Sequence, residues 1–327
     1  MTLPEKYLEY VEIVRRYSSR TVSLYGEVLS SFLTYSLGEG VRWADDDVVR
    51  VMTTTAIRNY EVHLLGEEGI SSRTVNLHLS VLSGFSKYLI RLRLLNVNPV
   101  SQVSRPRQEK RLPAFYREEA MEKYFADTAP FASEENLSLI TGHDKASVDM
   151  YERRLRRLII SILANTGIRR AELISLKIGS VNFGRKTLRV VGKGDKMREI
   201  PLILSLCNEI SLYLQAAAVM VGQDRTAESP LLVTPNGKAL YPVYVDRAVK
   251  KELGEEGITG RKSPHVLRHT LATSLLDEGA DLNSIKELLG HSSLAATQVY
   301  THATVEKLKN VYVNAHPRAK RGGKNGD

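Results

Sequence analysis

Thr166-Gly167-Ile168-Arg169-Arg170-Ala171-Glu172-Leu173 joins the end of one helix to the start of another. Upstream, apolar residues recur at helical spacing from 151 to 165, and a glycine just past such a run is a helix stop. An arginine placed immediately after that stop can point into a cleft instead of lying along a helix face. Glu172, three residues beyond Arg169, is spaced to hold its guanidinium. Alone, the same residues also describe an ordinary surface ion pair.

Toward the C-terminus, residues 187–191 and 197–201 alternate as strands around Gly192-Lys193-Gly194-Asp195, the pattern of a β-hairpin with Lys193 at its tip. No Gly-x-x-x-x-Gly-Lys-Ser/Thr spacing occurs in the chain, so the turn is not a nucleotide-binding P-loop. Helices are predicted over 202–220, 243–253, 265–278, 282–289 and 294–300. The first turn of the third reads His265-Val266-Leu267-Arg268-His269-Thr270, where residues three apart share a face. A zinc-protease pattern would need a glutamate after the first histidine, and Val266 stands there. Gly290 separates the last two helices, putting His291 in the turn and Tyr300 near the end of the final short helix. The tail from 316 mixes Arg318, Lys320, Arg321 and Lys324 with glycines and reads as disordered.

Toward the N-terminus, residues 117–125 predict a short helix, and 126–149 read as polar and irregular. The run 98–113 holds Pro99, Pro106 and Pro113 with Arg105, Arg107, Lys110 and Arg111, and reads as an extended basic linker. Before it the chain reads as amphipathic helices. Two begin alike, Ser-Ser-Arg-Thr-Val at 18–22 and again at 71–75, with serine as N-cap; a third spans 53–65. Each shared start puts backbone N–H groups and a cation, Arg20 with Thr21 and Arg73 with Thr74, where a phosphate could sit.

The net charge of +9 attracts polyanions, nucleic acid first among them. The only cysteine, Cys207, cannot form an internal disulfide, which suits a reducing compartment. No apolar run reaches the ~18 residues of a membrane span, and residues 1–10 lack an apolar signal core. The reading is a cytoplasmic protein of two domains with no membrane partner.

Arg169, Lys193, His265, Arg268, His291 and Tyr300 together suit attack on a phosphodiester. Guanidinium groups stabilise the extra negative charge of a pentacoordinate phosphorus. A phenol with a pKa near ~10 needs cations or a base to act as nucleophile. A lysine can protonate the departing sugar oxygen. Because each bond broken is replaced by another phosphodiester, neither ATP nor a metal cofactor is called for.

The sequence resembles the tyrosine recombinase (phage integrase) family, and within it the bacterial Xer recombinases. The matching segments are Thr-Gly-Ile-Arg-Arg-Ala-Glu-Leu at 166–173, Gly-Lys-Gly at 192–194, His-Val-Leu-Arg-His-Thr at 265–270, Leu-Leu-Gly-His-Ser-Ser at 288–293 and Thr-Gln-Val-Tyr-Thr-His at 297–302. The resemblance implies a mainly α fold with a small β-sheet (α+β). A helical SAM-like core-binding domain at 1–105 and a basic linker at 106–113 would precede a catalytic domain at 114–315 and a basic tail at 316–327. It implies that Arg169 and Arg268 grip the scissile phosphate and Lys193 protonates the leaving 5′ oxygen. His265 would assist proton transfer and His291 complete the pocket, while Tyr300 forms a 3′-phosphotyrosyl bond and Glu172 orients Arg169. The implied partners are double-stranded DNA at a specific site and other recombinase subunits, as a homo- or heterotetramer, with residues 305–313 docking on a neighbour. Arg20, Thr21, Arg73, Thr74, Arg105 and Arg107 are the expected DNA contacts. The stretch 126–149 and the basic tail depart from the family pattern, the first as an added loop. An integrase of a phage or conjugative element would share every reactive residue, but such enzymes often carry a further domain in front. A DNA-binding protein without activity and a nicking-closing topoisomerase are the other classes to separate by experiment.

Overall fold

The computed structural model describes residues 1–39, 43–107, 115–192, 195–222, 224–253 and 262–290. The chain divides into two compact units, Met1–Arg111 and Leu112–Asp327, each with its own hydrophobic core.

The described residues of the first unit form helices joined by turns, with no strand among them. Helix α1 (Leu3–Glu9) runs into a single π-helical turn (Tyr10–Val14), followed by α2 (Ser19–Leu37), α3 (Asp45–Val51), α4 (Thr54–Gly66) and α5 (Ser72–Arg91). The two repeated starts do what serine does at a helix N-terminus: Ser18 Oγ accepts from the Thr21 amide and Ser71 Oγ from the Thr74 amide. Phe32, Leu33, Tyr60, Leu79, Leu82 and Phe85 fill the interior. Helices α1 and α3 escape the sequence reading because each is barely two turns, too short for periodicity to show. Asp45, at the start of α3, accepts a hydrogen bond from the Leu3 amide at 2.7 Å and so fastens the two short helices together.

The linker reading of 98–113 needs correction over its first part. Pro99–Gln102 form a 3-10 turn, Val100 and Val103 are buried in the first core, and the Asn76 side chain donates to the Pro106 carbonyl at 2.9 Å. Two valines three apart give the segment an apolar face that proline content alone conceals. Residues 108–114 lie outside the described residues.

In the second unit α6 (Glu118–Asp127) and a 3-10 turn (Ala129–Ala132) precede the long α7 (Lys145–Thr166). The expected irregular stretch 126–149 is therefore shorter than predicted: α7 starts at Lys145, where Asp144 accepts from the amides of Ala146 and Ser147. Its first turns are polar, which hides them from apolar periodicity. Arginines of α7 fasten what remains. Arg154 donates to the Ser133 carbonyl at 2.7 Å; Arg157 donates to Thr128 at 2.8 Å and lies over the Phe125 ring.

After α7 come α8 (Arg170–Ile174), an antiparallel sheet of β1 (Val181–Asn182), β2 (Thr187–Val191) and β3 (Met197–Pro201), and α9 to α12 (Leu204–Val221, Pro242–Glu252, Pro264–Asp277, Leu282–Leu289). The hairpin has the expected strands, in register Val191↔Met197 through Thr187↔Pro201; its tip, Lys193 and Gly194, lies outside the described residues. Helices α9, α10 and α11 pack around α7, whose Leu155, Leu158, Ile159, Ile162 and Leu163 are buried. Helix α9 is long and apolar enough to cross a membrane, yet Leu206, Ile210, Tyr213, Ala217 and Met220 make it part of this core.

Gly167 ends α7 in the left-handed region at φ +61°. A Cβ there would sit 2.6 Å from Leu289 Cδ2 and 3.0 Å from Leu271 Cδ2, so α11 and α12 close against this bare backbone. Gly167→Ala combines a left-handed alanine with overpacking, and roughly 2–4 kcal/mol of stability should be lost. A urea titration with a lowered midpoint and unchanged slope is the expected reading; a midpoint at the wild-type position would show that the close approach has slack.

Candidate active site

Three separated segments meet beside Gly167. Arg169 is the residue before α8. Its guanidinium Nη1 donates to Glu172 Oε1 at 2.8 Å, and its own amide donates to Glu172 Oε2 at 2.8 Å. A second donation, Nη2 to the Gly290 carbonyl at 2.8 Å, ties it to the end of α12. Its side chain keeps 36% of its surface exposed, so a ligand can reach it.

Arg268 comes from α11 and is 8% exposed. Its Nη1 donates to the Gly167 carbonyl at 2.6 Å and its Nη2 to the Leu289 carbonyl at 2.5 Å. A guanidinium has five N–H donors; the two carbonyls take two of them. Burial first, and then the neighbouring positive charge of Arg169, push its pKa down to about 10. Arg268 thus stays charged at neutral pH, in a place where that charge would gain from an anion.

Glu172 is the pivot. It is 4% exposed, and burial would push its carboxyl up. Hydrogen bonds from Arg198, from the Arg169 amide and from the Arg169 side chain outweigh burial and hold it below the usual carboxylate value. Arg198 of β3 was not singled out from the sequence. It is 5% exposed and grips Glu172 with both terminal nitrogens, Nη1 to Oε1 at 3.0 Å and Nη2 to Oε2 at 2.8 Å. Two guanidinium groups therefore hold this carboxylate and a third, that of Arg268, feels its charge, leaving a surplus of positive charge suited to a phosphate.

His265 is exposed at the start of α11, one turn before the buried Arg268. Lys193, His291 and Tyr300 lie outside the described residues. Gly290, described, ends α12 at φ +66° and immediately precedes His291 in the chain.

In the first unit Arg20 and Arg73 are exposed in the first turns of α2 and α5. The hydroxyls of Thr21 and Thr74 bond to those of Ser18 and Ser71 at 2.9 and 3.0 Å. Arg107 is exposed. Arg105 donates to Ser80 Oγ at 3.0 Å and lines a groove of about 430 Å³ with Arg15, Lys87 and Arg91. The last three were not anticipated. Tyr10 and Tyr88 stand between them at 5.2 Å ring separation, Arg91 lies over the Tyr10 ring, and no carboxylate is among the groove's lining residues.

Residues 131–307 match the phage integrase family, and residues 5–93 match the N-terminal SAM-like domain of phage integrases. The chain belongs to the phage integrase family of tyrosine recombinases. Similar curated proteins carry the name tyrosine recombinase XerC. That of Chlorobaculum parvum is 33% identical over 320 residues, covering 96% of this chain and 94% of the relative. That of Bacillus subtilis is 31% identical over 317 residues, covering 96% and 95%. This recombinase is accordingly of the Xer type. Its fold is also that of the XerH site-specific recombinase solved with a palindromic difH substrate after cleavage, at TM-score 0.64, 19% identity and coverage of 98% and 83%. The Tn1549 transposon integrase on transposon right-end DNA gives TM-score 0.63 at 18% identity, covering 98% of both chains.

Proposed function

We propose that this recombinase cleaves and rejoins duplex DNA at a specific site through a 3′-phosphotyrosyl bond to Tyr300, and that it resolves chromosome dimers in the cytoplasm. The observation that carries the reading is the convergence of Arg169, held by Glu172 of α8, and Arg268 of α11 on the end of α12 at Leu289 and Gly290. In this scheme both guanidinium groups bind the non-bridging oxygens of the scissile phosphate, and the gain is greatest when phosphorus becomes pentacoordinate. Lys193 protonates the 5′ oxygen, His265 assists at the nucleophile, and His291 completes the pocket. The first unit serves as core-binding domain and the second as catalytic domain, assembled as a tetramer on two duplexes. The XerC relatives favour this role over mobile-element integration. The direct test is a duplex nicked near its cleavage point, so that the short released strand diffuses away and the protein stays covalently attached. An adduct resistant to denaturant is the expected result, and binding without an adduct would overturn the enzyme.

The groove on the first unit belongs to the same reading, as the surface that follows the DNA backbone. Each phosphate neutralised by a cation releases counterions, so log K falls with log salt by about 0.9 per contact. Replacing Lys87 and Arg91 with alanine should lower that slope by roughly 1.8. Gel-shift titrations over a salt series measure it, and an unchanged slope would remove the groove from the DNA path.

A further inference from the structure

We propose that Arg198 is a positioning residue for strand cleavage, a brace that holds Glu172 in its charged, two-handed grip on Arg169 while anchoring the end of α12. The assignment rests on the proposed cleavage reaction but on separate observations. Arg198 cannot be a phosphate ligand as it stands. It is 5% exposed, both terminal nitrogens are bonded to Glu172, and Nε donates to the Leu288 carbonyl at 3.1 Å. The fit around it is tight. A Cβ on Gly290 would come within 3.1 Å of Nη1, 3.2 Å of Cζ and 3.3 Å of Nε, so the backbone before His291 lies directly against the guanidinium. On β3 Arg198 is paired with Val190 of β2, in the hairpin whose turn holds Lys193. One side chain thus ties the hairpin, the start of α8 and the end of α12, the three places that lead to Lys193, Arg169 and His291.

The physical consequence falls on Glu172. This carboxylate is buried, and charged groups face it from three elements: Arg169 beside α8, Arg198 on β3 and Arg268 on α11. The described end of α12 offers backbone carbonyls. Without Arg198, burial is opposed by fewer donors and the carboxyl rises toward protonation. A protonated Glu172 loses charge-assisted hold on the Arg169 side chain and amide. The sign follows: with Arg198 present the carboxyl is held below its ordinary value, so the grip is kept to lower pH than without it, and the variant loses the grip first as pH falls.

The experiment compares wild type with Arg198→Met, Arg198→Lys and Glu172→Gln by single-turnover cleavage of the nicked duplex from pH 5 to 8. The carboxyl carbon of Glu172 is followed in parallel by NMR of 13C-glutamate-labelled protein. Arg198→Met should bind DNA as wild type does. Its cleavage should be several-fold slower at pH 8 and roughly 10- to 100-fold slower near pH 5, the span expected for a lost hydrogen bond to a charged group. Arg198→Lys, which keeps the charge but not the fork, should fall between them with a weaker acid limb. Glu172→Gln should be slow without an acid limb of its own. An upward shift of the Glu172 resonance titration in Arg198→Met is the independent readout. A uniform rate loss at every pH, or a Glu172 titration unmoved in both Arg198 variants, would overturn the brace and leave Arg198 as core packing. If wild type itself forms no adduct, the proposed reaction fails, and the resonance titration still decides the brace.

Discussion

Tyr300→Phe should abolish the covalent DNA adduct completely while leaving duplex binding intact. The substitution removes one oxygen and nothing else, so any adduct that depends on a phenolate must vanish. The prediction is sharpened because seven of the other tyrosines among the 15 in the chain are poor substitutes. Burial drives the phenols of Tyr7, Tyr116, Tyr124, Tyr151 and Tyr244 far above their usual pKa, and that of Tyr60 to about 12. The hydroxyls of Tyr151 and Tyr213 further lie 2.9 Å apart and share the Val233 carbonyl as acceptor, their two protons divided among these contacts. A nucleophilic phenol needs the opposite surroundings, with cations and an anionic ligand to attack. The Leu288 to His302 segment supplies the sequence context for that role, and its beginning holds the Leu289 and Gly290 carbonyls to which Arg268 and Arg169 donate. Denaturing electrophoresis of labelled nicked duplex gives the answer. A band of adduct in Tyr300→Phe, mapped by mass spectrometry to another tyrosine, would refute the assignment.

How much of this was legible beforehand depends on the kind of signal each residue leaves. The Arg169–Glu172 pair was readable because the two lie three residues apart just after a glycine stop, and the structure gives that pair two hydrogen bonds. The hairpin was readable from alternation around glycines, and its strand limits agree with the observed ones. Arg198 left no such trace. An arginine in a short strand beside a glycine turn reads as a solvated residue, and its burial is decided by a carboxylate 26 positions away. The missing clue was stoichiometric. A buried carboxylate has about four acceptor sites, and Arg169 fills only two of Glu172's, so a further donor had to come from elsewhere in the chain. The groove residues Arg15, Lys87 and Arg91 were missed for a related reason. They come from the π-helical turn region and from late in α5, whereas the hydroxyl-rich helix starts, which leave a sequence signal, carry Arg20 and Arg73.

Arg268→Met should separate rate from stability more strongly than the other substitutions at the site. On the rate side, a preorganised donor aimed at developing negative charge is worth about 10²- to 10³-fold, and cleavage should fall by at least that much. On the stability side two terms oppose one another. Losing the guanidinium strands the buried carbonyls of Gly167 and Leu289, at about 1–3 kcal/mol for each unsatisfied group. Against this, wild type carries the penalty of holding a charge in a buried site beside Arg169, which is why the Arg268 pKa stands lowered at about 10. That penalty is fully present at neutral pH, since the folded protein releases the proton only as pH rises through about 10. Methionine removes it. The net loss of folding stability should therefore be about 1–3 kcal/mol, below the sum of the two stranded carbonyls. Arg268→Lys makes the comparison decisive. A single ammonium keeps the charge and its penalty but cannot span both carbonyls and a phosphate at once. Its cleavage should stay close to that of Arg268→Met, with no gain in urea midpoint. If lysine instead restores most of the cleavage rate, point charge alone suffices there, and the forked contact to phosphate is not what Arg268 contributes.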